Sequence, residues 1–363
     1  MTLVPETAGE LASQLAEANA KSQSVVLCGN STKTSMGGPI AQADTTISLS
    51  KLNRVLQYEP RDLTISVESG ITYRELSRVL AEHGQMIPLD PPFSDSATIG
   101  GIIATNCSGP RRRLYGTARD MVIGMTFATL EGKLVKTGGI VVKNVAGLDM
   151  GKLMIGSFGT LAAIAVVNFK LHPIPEATRT FIQHFPGIAE AITARDAVLK
   201  SVLQPAAIDL LKAPDGYDLM IQAGGSAAVL DRYSREMPNA RVVQGEEEQT
   251  AWQEVREMTP RFLARSESGV VVRVACKLSE VHGVMDALPR PALARAGSGV
   301  CYGYYPRFED IVVKGVVEFA PPSIRQDAEL WPTPGTDFAM MKKVKEMFDP
   351  LGLLNRGRLY GRI

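Results

Sequence analysis

Cysteine and histidine are both scarce in this 363-residue chain, with four of each. Cys28, Cys107, Cys276 and Cys301 form no C-x-x-C pair, which argues against an iron–sulfur cluster or structural zinc held by this chain alone. Few and scattered thiols fit a reducing cytoplasm. His83, His172, His184 and His282 make no H-x-H and no H-E-x-x-H, so metal is not expected. Charge of one sign is missing as well: 39 Lys+Arg against 38 Asp+Glu leave a net +1. That offers no phosphate-neutralising surface, and nucleic acid is not an expected partner. The longest apolar stretch, at 161–167, is too short to span a bilayer. The first residues, MTLVPETAGELASQLAEANAK, lack a basic segment followed by an apolar one and do not read as a secretory signal. No G-x-G-x-x-G, Walker A or G-x-S-x-G string occurs, so the common nucleotide and hydrolase signatures are excluded.

What is present is an ordinary globular composition, 45% hydrophobic and 21% charged, in a chain long enough for two domains. Thr7 with Glu10 and Thr72 with Glu75 have capping-box spacing and open amphipathic stretches, the second stopped at Gly84. Short strands are expected over 25–27, 46–49, 55–58 and 64–68, a hairpin over 121–137 and a further strand over 161–171. Pro173 and Pro175 break both periodicities and mark a boundary. Beyond it, helices are expected over 187–201, 226–237 and 246–262, and strands over 208–211, 219–223, 270–277 and 311–319. This pattern predicts an antiparallel sheet with helices on one side. Prolines 321, 322, 332 and 334 mark a second boundary, followed by a helix over 337–347 and the tail FDPLGLLNRGRLYGRI.

Three glycine-rich segments carry the chemical signal. In VVLCGNSTK, a strand runs into Cys28, Gly29, Asn30, Ser31, Thr32 and Lys33. Small residues let main-chain N–H groups approach an anion, and hydroxyls and a lysine add donors, which suits a pyrophosphate. A plain polar loop is the alternative reading. In SATIGGIIATNCSG, two glycine sites bracket small and apolar residues against which a flat ring can lie, with Thr98, Thr105, Asn106 and Ser108 as donors. A small-residue helix packed on a neighbour is the alternative. The third segment joins Lys143, Asn144 and Asp149 to Gly159 and Thr160 at the entry to a strand, or is an ordinary helix-to-strand connection. The Arg111–Arg113 run reads as a solvated or partner-facing patch, or as a bidentate carboxylate grip.

Taken together and in this order, these segments resemble the FAD-binding domain of the vanillyl-alcohol-oxidase/PCMH-type family. Within it they resemble the E-type flavin subunits of bacterial glycolate oxidases. VLCGNSTK resembles the pyrophosphate loop, ATIGGIIATNCSGPRRRLYG the flavin-binding stretch, GGIVVKNVAGLDMGKLMIGSFGTLAAI the next block, and FDPLGLLNRGRL a D-P-x-x-x-x-N-P-G-R ending. The resemblance covers 1–175 and the last fifteen residues; the middle matches only in length and coarse pattern. It implies an α+β protein with a two-part PCMH-type FAD-binding domain (1–174), an α/β cap domain with an antiparallel sheet (175–330) and a C-terminal tail returning to the FAD domain (331–363). It implies non-covalent FAD, since no histidine lies in the first two segments, although Cys28 and Cys107 do. The cofactor-binding residues it implies are Cys28, Gly29, Asn30, Ser31, Thr32, Lys33, Pro91, Thr98, Ile99, Gly100, Gly101, Ala104, Thr105, Asn106, Ser108, Gly109, Tyr115, Gly116, Gly159, Thr160, Ile164 and Asn355.

The sequence departs from the pattern in three places. Val25 stands where relatives often carry arginine, and Arg356 where proline is usual; Asn355 is still expected to reach the flavin. Related 2-hydroxy-acid dehydrogenases carry a histidine-rich cluster in the cap, whereas this cap region has only His184 and His282. Oxidising a 2-hydroxy acid needs a base for the O–H proton, and none can be named. The resemblance therefore implies an FAD-binding subunit of a complex that oxidises glycolate to glyoxylate. A second, catalytic flavin subunit and an iron–sulfur subunit would be its partners, and any membrane contact would come through them. A self-sufficient FAD-dependent 2-hydroxy-acid dehydrogenase is the alternative, with Lys143 and Arg112 on the substrate carboxylate. A non-catalytic scaffold of the same fold is a second alternative.

Overall fold

A computed structural model describes residues 1–140, 149–360 and 363. The chain divides into two compact units. The first holds residues 1–108, 117–174 and 325–363, and the second holds 109–116 and 175–324.

Besides a two-stranded pair of Gln85–Met86 with His172–Pro173, the first unit is built on two sheets. In the smaller, Thr2–Leu3, Thr45–Ser48 and Val25–Cys28 pair in parallel, with Thr45–Ser48 in the middle. In the larger, five antiparallel strands run in the order Val55–Glu59, Thr64–Glu68, Ala163–Lys170, Val122–Ala128 and Leu134–Gly138. Thr64–Glu68 is buried along its whole length, so its alternation does not divide an inner face from a wet one. Helix Ala8–Ala20 begins where the Thr7 hydroxyl accepts from Glu10 N–H at 3.1 Å. The return half of the cap goes one residue upstream, from Glu6 N–H to the Glu10 carboxylate. This helix buries Leu11, Ala12, Leu15 and Ala18 in a core shared with Val25, Ile47, Leu52, Leu130, Ala165, Leu353 and Leu354. At about 1.5–3 kcal/mol per buried large aliphatic side chain, that core binds the helix, both sheets and the tail into one body. Helix Tyr73–Ala81 is capped by Thr72, and the chain turns at Gly84 with φ +63°.

The second unit is a single antiparallel sheet of eight strands. Their order is Arg241–Val243, Ala177–Phe185, Gly216–Gly225, Ala207–Ala213, Ala292–Arg295, Val300–Tyr305, Val270–Ala275 and Val316–Phe319. Helices Ile188–Lys200 and Ala227–Glu236 fall where periodicity expects them. The expected helix over 246–262 is two helices, Gly245–Arg256 and Met258–Arg265. Pro260 cannot donate back along a continuous helix, so a new helix starts with the proline in its first turn. The strand expected over 311–319 shortens to Val316–Phe319, because a 3-10 turn at Phe308–Asp310 precedes it, fastened by the Arg307–Asp310 pair. Strands Ala177–Phe185, Ala292–Arg295 and Val300–Tyr305 and helix Val281–Ala287 are additions to the sequence reading.

Candidate functional site

The site in the first unit starts at the end of strand Val25–Cys28. The C-terminal tail joins this strand: Val25 N–H donates to Leu353 O at 2.8 Å, and Asn355 N–H donates to Val25 O at 2.9 Å. Asn355 also uses both ends of its side chain on the protein. Its Oδ1 accepts from Leu27 N–H at 2.8 Å, and its Nδ2 donates to Phe158 O at 2.6 Å. Behind it, the buried Lys345 ammonium donates to Thr160 O, Leu354 O and Asp349, while Asp349 accepts from Leu353 and Leu354 N–H. The aspartate and asparagine of the tail thus close the wall of the site by holding main chain.

The loop after Cys28 is packed directly on the second glycine segment. A Cβ on Gly29 would sit 2.3 Å from Thr98 Oγ1, so only glycine lets the two meet. Asn30 Nδ2 reaches Ser96 O at 3.0 Å. Thr98 caps the short helix Ile99–Thr105, which buries Ile99, Ile102 and Ile103 and turns Gly100, Gly101, Ala104 and Thr105 to the cavity. The packing reading of this segment holds: it is a closely packed small-residue helix, and one side of it lines the cavity. The first N–H groups of this helix are already engaged. Ile99 donates to Ile71 O, Gly100 to Ser69 O at 2.6 Å, and Gly101 to the Thr98 hydroxyl. By contrast, Gly29, Asn30, Ser31 and Thr32 donate their main-chain N–H groups to no protein acceptor among the described residues. Ser31 takes the left-handed conformation, φ +56°, which helps such a loop curl.

These segments enclose a cavity of about 220 Å³ lined from both sheets of the unit. Lys33 and Arg358 line it, both buried, and no carboxylate does among the described residues. The Arg358 guanidinium packs over the Phe158 ring and donates to Lys33 O at 3.1 Å and Gly38 O at 3.0 Å. Burial, and then the neighbouring Arg325 charge, hold its pKa down at about 10. The cavity is therefore electropositive, with unspent N–H groups at one side and small apolar residues at the other.

Of the residues expected from the sequence, the cavity brings together Cys28, Gly29, Asn30, Ser31, Thr32, Lys33, Thr98, Gly100, Gly101, Ala104, Thr105, Gly159, Ile164 and Asn355. Pro91, Ile99 and Ser108 are buried off its wall, and Asn106 is exposed at the helix C-cap. Thr160 is buried, with its carbonyl on Lys345. Gly109, Tyr115 and Gly116 group with the second unit. Lys143 and Asn144 lie outside the described residues. The arginine run is half-buried within the second unit, which corrects its reading as a solvated patch. Arg113 crosses Gly297, where a Cβ would meet its side chain, and the Arg112 charge acts on the half-buried Glu318 and Tyr302. Glu318 also accepts from Arg273 at 3.0 Å, and burial holds its carboxyl above the usual range. The sequence reading missed Phe158 and Arg358 as cavity residues. Arg358 was visible as the last arginine of the N-x-G-R tail; Phe158 gave no signal.

Comparison with known proteins decides what this cradle holds. Residues 1–138 match the family model of the FAD binding domain, and residues 333–359 match that of the C-terminal domain of FAD linked oxidases. The first 138 residues are an FAD-binding domain of the PCMH type. Over 358 residues the chain is 28% identical to the glycolate oxidase subunit GlcE of Escherichia coli, covering 97% of both chains. It is 31% identical over 188 residues to the glycolate oxidase subunit GlcD of Bacillus subtilis, 52% of this chain and 38% of that one. With the mitochondrial D-lactate dehydrogenase [cytochrome] of Arabidopsis thaliana it shares 32% over 211 residues, 58% of this chain and 37% of the relative. The fold is that of an alkyldihydroxyacetonephosphate synthase structure, with a TM-score of 0.70 over 98% of this chain and 75% of that one at 18% identity.

The residues fit FAD. The unspent N–H groups of Gly29 to Thr32, with Lys33 and Arg358, suit the two negative charges of its pyrophosphate. Gly100, Gly101, Ala104, Gly159 and Ala162 leave room for a flat ring. When bound, FAD supplies a two-electron acceptor, and the chain is an FAD-dependent oxidoreductase.

Proposed function

We propose that this chain is the FAD-binding subunit of a complex that oxidises a small 2-hydroxy acid, glycolate to glyoxylate, with the main substrate site on a partner flavin subunit. The carrying observation is that a cavity whose lining fits FAD stands in a chain whose histidines are dispersed. His83 packs edge-on to Tyr58, the exposed His184 pairs with Asp218, His172 begins the two-residue strand His172–Pro173, and His282 lies on a short helix. The end-to-end likeness to GlcE supports the subunit reading, and an iron–sulfur subunit would take the electrons onward. The flavin is held non-covalently, and the complex is cytoplasmic. No helix among the described residues is long and apolar enough to cross a membrane, so membrane contact would come through partners.

An anaerobic absorbance titration of the purified chain with glycolate and D-lactate tests this. The flavin spectrum is expected to ignore both acids until the partner flavin subunit is added. Bleaching by either acid in the isolated chain would overturn the division of labour. It would favour a self-sufficient dehydrogenase.

A further inference from the structure

Two guanidinium groups are buried side by side at the edge of the flavin cavity, and both come from the C-terminal part of the chain. Arg325 and Arg358 converge on one acceptor: Arg325 Nη1 donates to Gly38 O at 2.9 Å, and Arg358 Nη1 donates to the same oxygen at 3.0 Å. Arg358 reaches on to Lys33 O at 3.1 Å. Arg325 Nε has no hydrogen-bond partner among the described residues. No acid offsets either charge among the described residues; the one charged neighbour acting on Arg358 is Arg325.

A strut for the loop between Lys33 and Gly38 needs one neutral donor. Two like charges crowded onto one carbonyl, out of water, repel each other and lose hydration. That arrangement is favourable only where an anion completes it. The usual alternative source of positive potential, the N-terminus of helix Ile99–Thr105, has its first N–H groups engaged by Ile71, Ser69 and Thr98.

We propose that Arg358, at the cavity wall, and Arg325, behind it, are positioning residues that supply the buried positive charge for the pyrophosphate of FAD. The C-terminal tail thereby completes a site whose loop lies more than 300 residues earlier in the chain. The inference rests on FAD occupying this cavity.

The test compares FAD with riboflavin, which carries the same ring and no phosphate, by fluorescence titration of the deflavinated chain. The deciding quantity is the ratio of the two dissociation constants. Arg325→Gln and Arg358→Gln are each expected to weaken FAD about tenfold at low salt and to leave riboflavin within about twofold. Equal losses for the two ligands, or no loss, would overturn the proposal and leave the arginines as loop struts. Should the variants fail to fold, the wild-type chain decides. Inorganic pyrophosphate should raise the melting temperature of the deflavinated chain, and an unmoved melting temperature overturns the proposal. A wild-type chain that binds riboflavin but prefers FAD by no margin fails this inference alone. One that takes up neither fails the FAD reading and this inference with it.

Discussion

Replacing Asn355 separates a flavin contact from a wall of the flavin site. Its side chain makes two hydrogen bonds to main chain, accepting from Leu27 N–H and donating to Phe158 O, and it sits 7% exposed. Truncation to alanine strands both main-chain groups where water has little access. At about 1–3 kcal/mol for each buried group left unsatisfied, Asn355→Ala should cost about 3 kcal/mol or more. In a unit of roughly 200 residues, each kcal/mol lowers the melting temperature by about 2–4 °C, so a drop of about 6–12 °C is expected. Asn355→Asp should cost at least as much, because it keeps the acceptor for Leu27 but sets a second oxygen against Phe158 O. The assay is thermal unfolding of the deflavinated chain, followed by circular dichroism. There a residue that acted only on the flavin would have no effect. A deflavinated Asn355→Ala protein that melts with the wild type would refute the reasoning.

Other consequences are equally direct. Gly29→Ala places a methyl group 2.3 Å from Thr98 Oγ1. The resulting overpacking, about 1–3 kcal/mol, should weaken FAD by roughly tenfold in a fluorescence titration; wild-type affinity would show that the loop and helix can part freely. In the second unit, the hydrogen bond that His184 Nδ1 donates to the Asp218 carboxylate raises the pKa of His184 above its usual 6.5. The stability from this pair is complete below about pH 6.5 and is lost as pH rises through the raised value. His184→Asn should therefore flatten the stability profile of the chain above pH 6.5, and an NMR titration should find the wild-type imidazole pKa above 6.5.

Much of the site was legible in the sequence because its chemistry is local. A strand running into Gly29, Asn30, Ser31, Thr32 and Lys33 announces an anion loop by residue type alone, and Thr98 with two glycines announces a capped helix that a ring can approach. The capped helices at Ala8–Ala20 and Tyr73–Ala81 were equally readable, since a cap and an apolar face are set within a few turns. The antiparallel sheet of the second unit was foreseen as a class, from short strands alternating with helices.

What the chain segments could not announce is which distant segments share a site. Ala177–Phe185 carries threonine, arginine, glutamine and histidine among few apolar residues, and it becomes a strand because nine of its residues pair with Gly216–Gly225. The arginine run reads as a surface patch by charge, yet Arg113 and Arg112 are taken into the second unit by Gly297 and Glu318, nearly two hundred residues on. By position Asn355 reads as a flavin ligand; it lines the cavity, and its pairing with Leu27 and Phe158 also makes it a brace for the strand that bears the loop. Residue type and short-range spacing determined that the chain has a glycine-rich loop after a strand and a capped small-residue helix. Long-range pairing of main chain, which no local pattern encodes, decided that the tail builds the wall and brings Arg358 to the cavity.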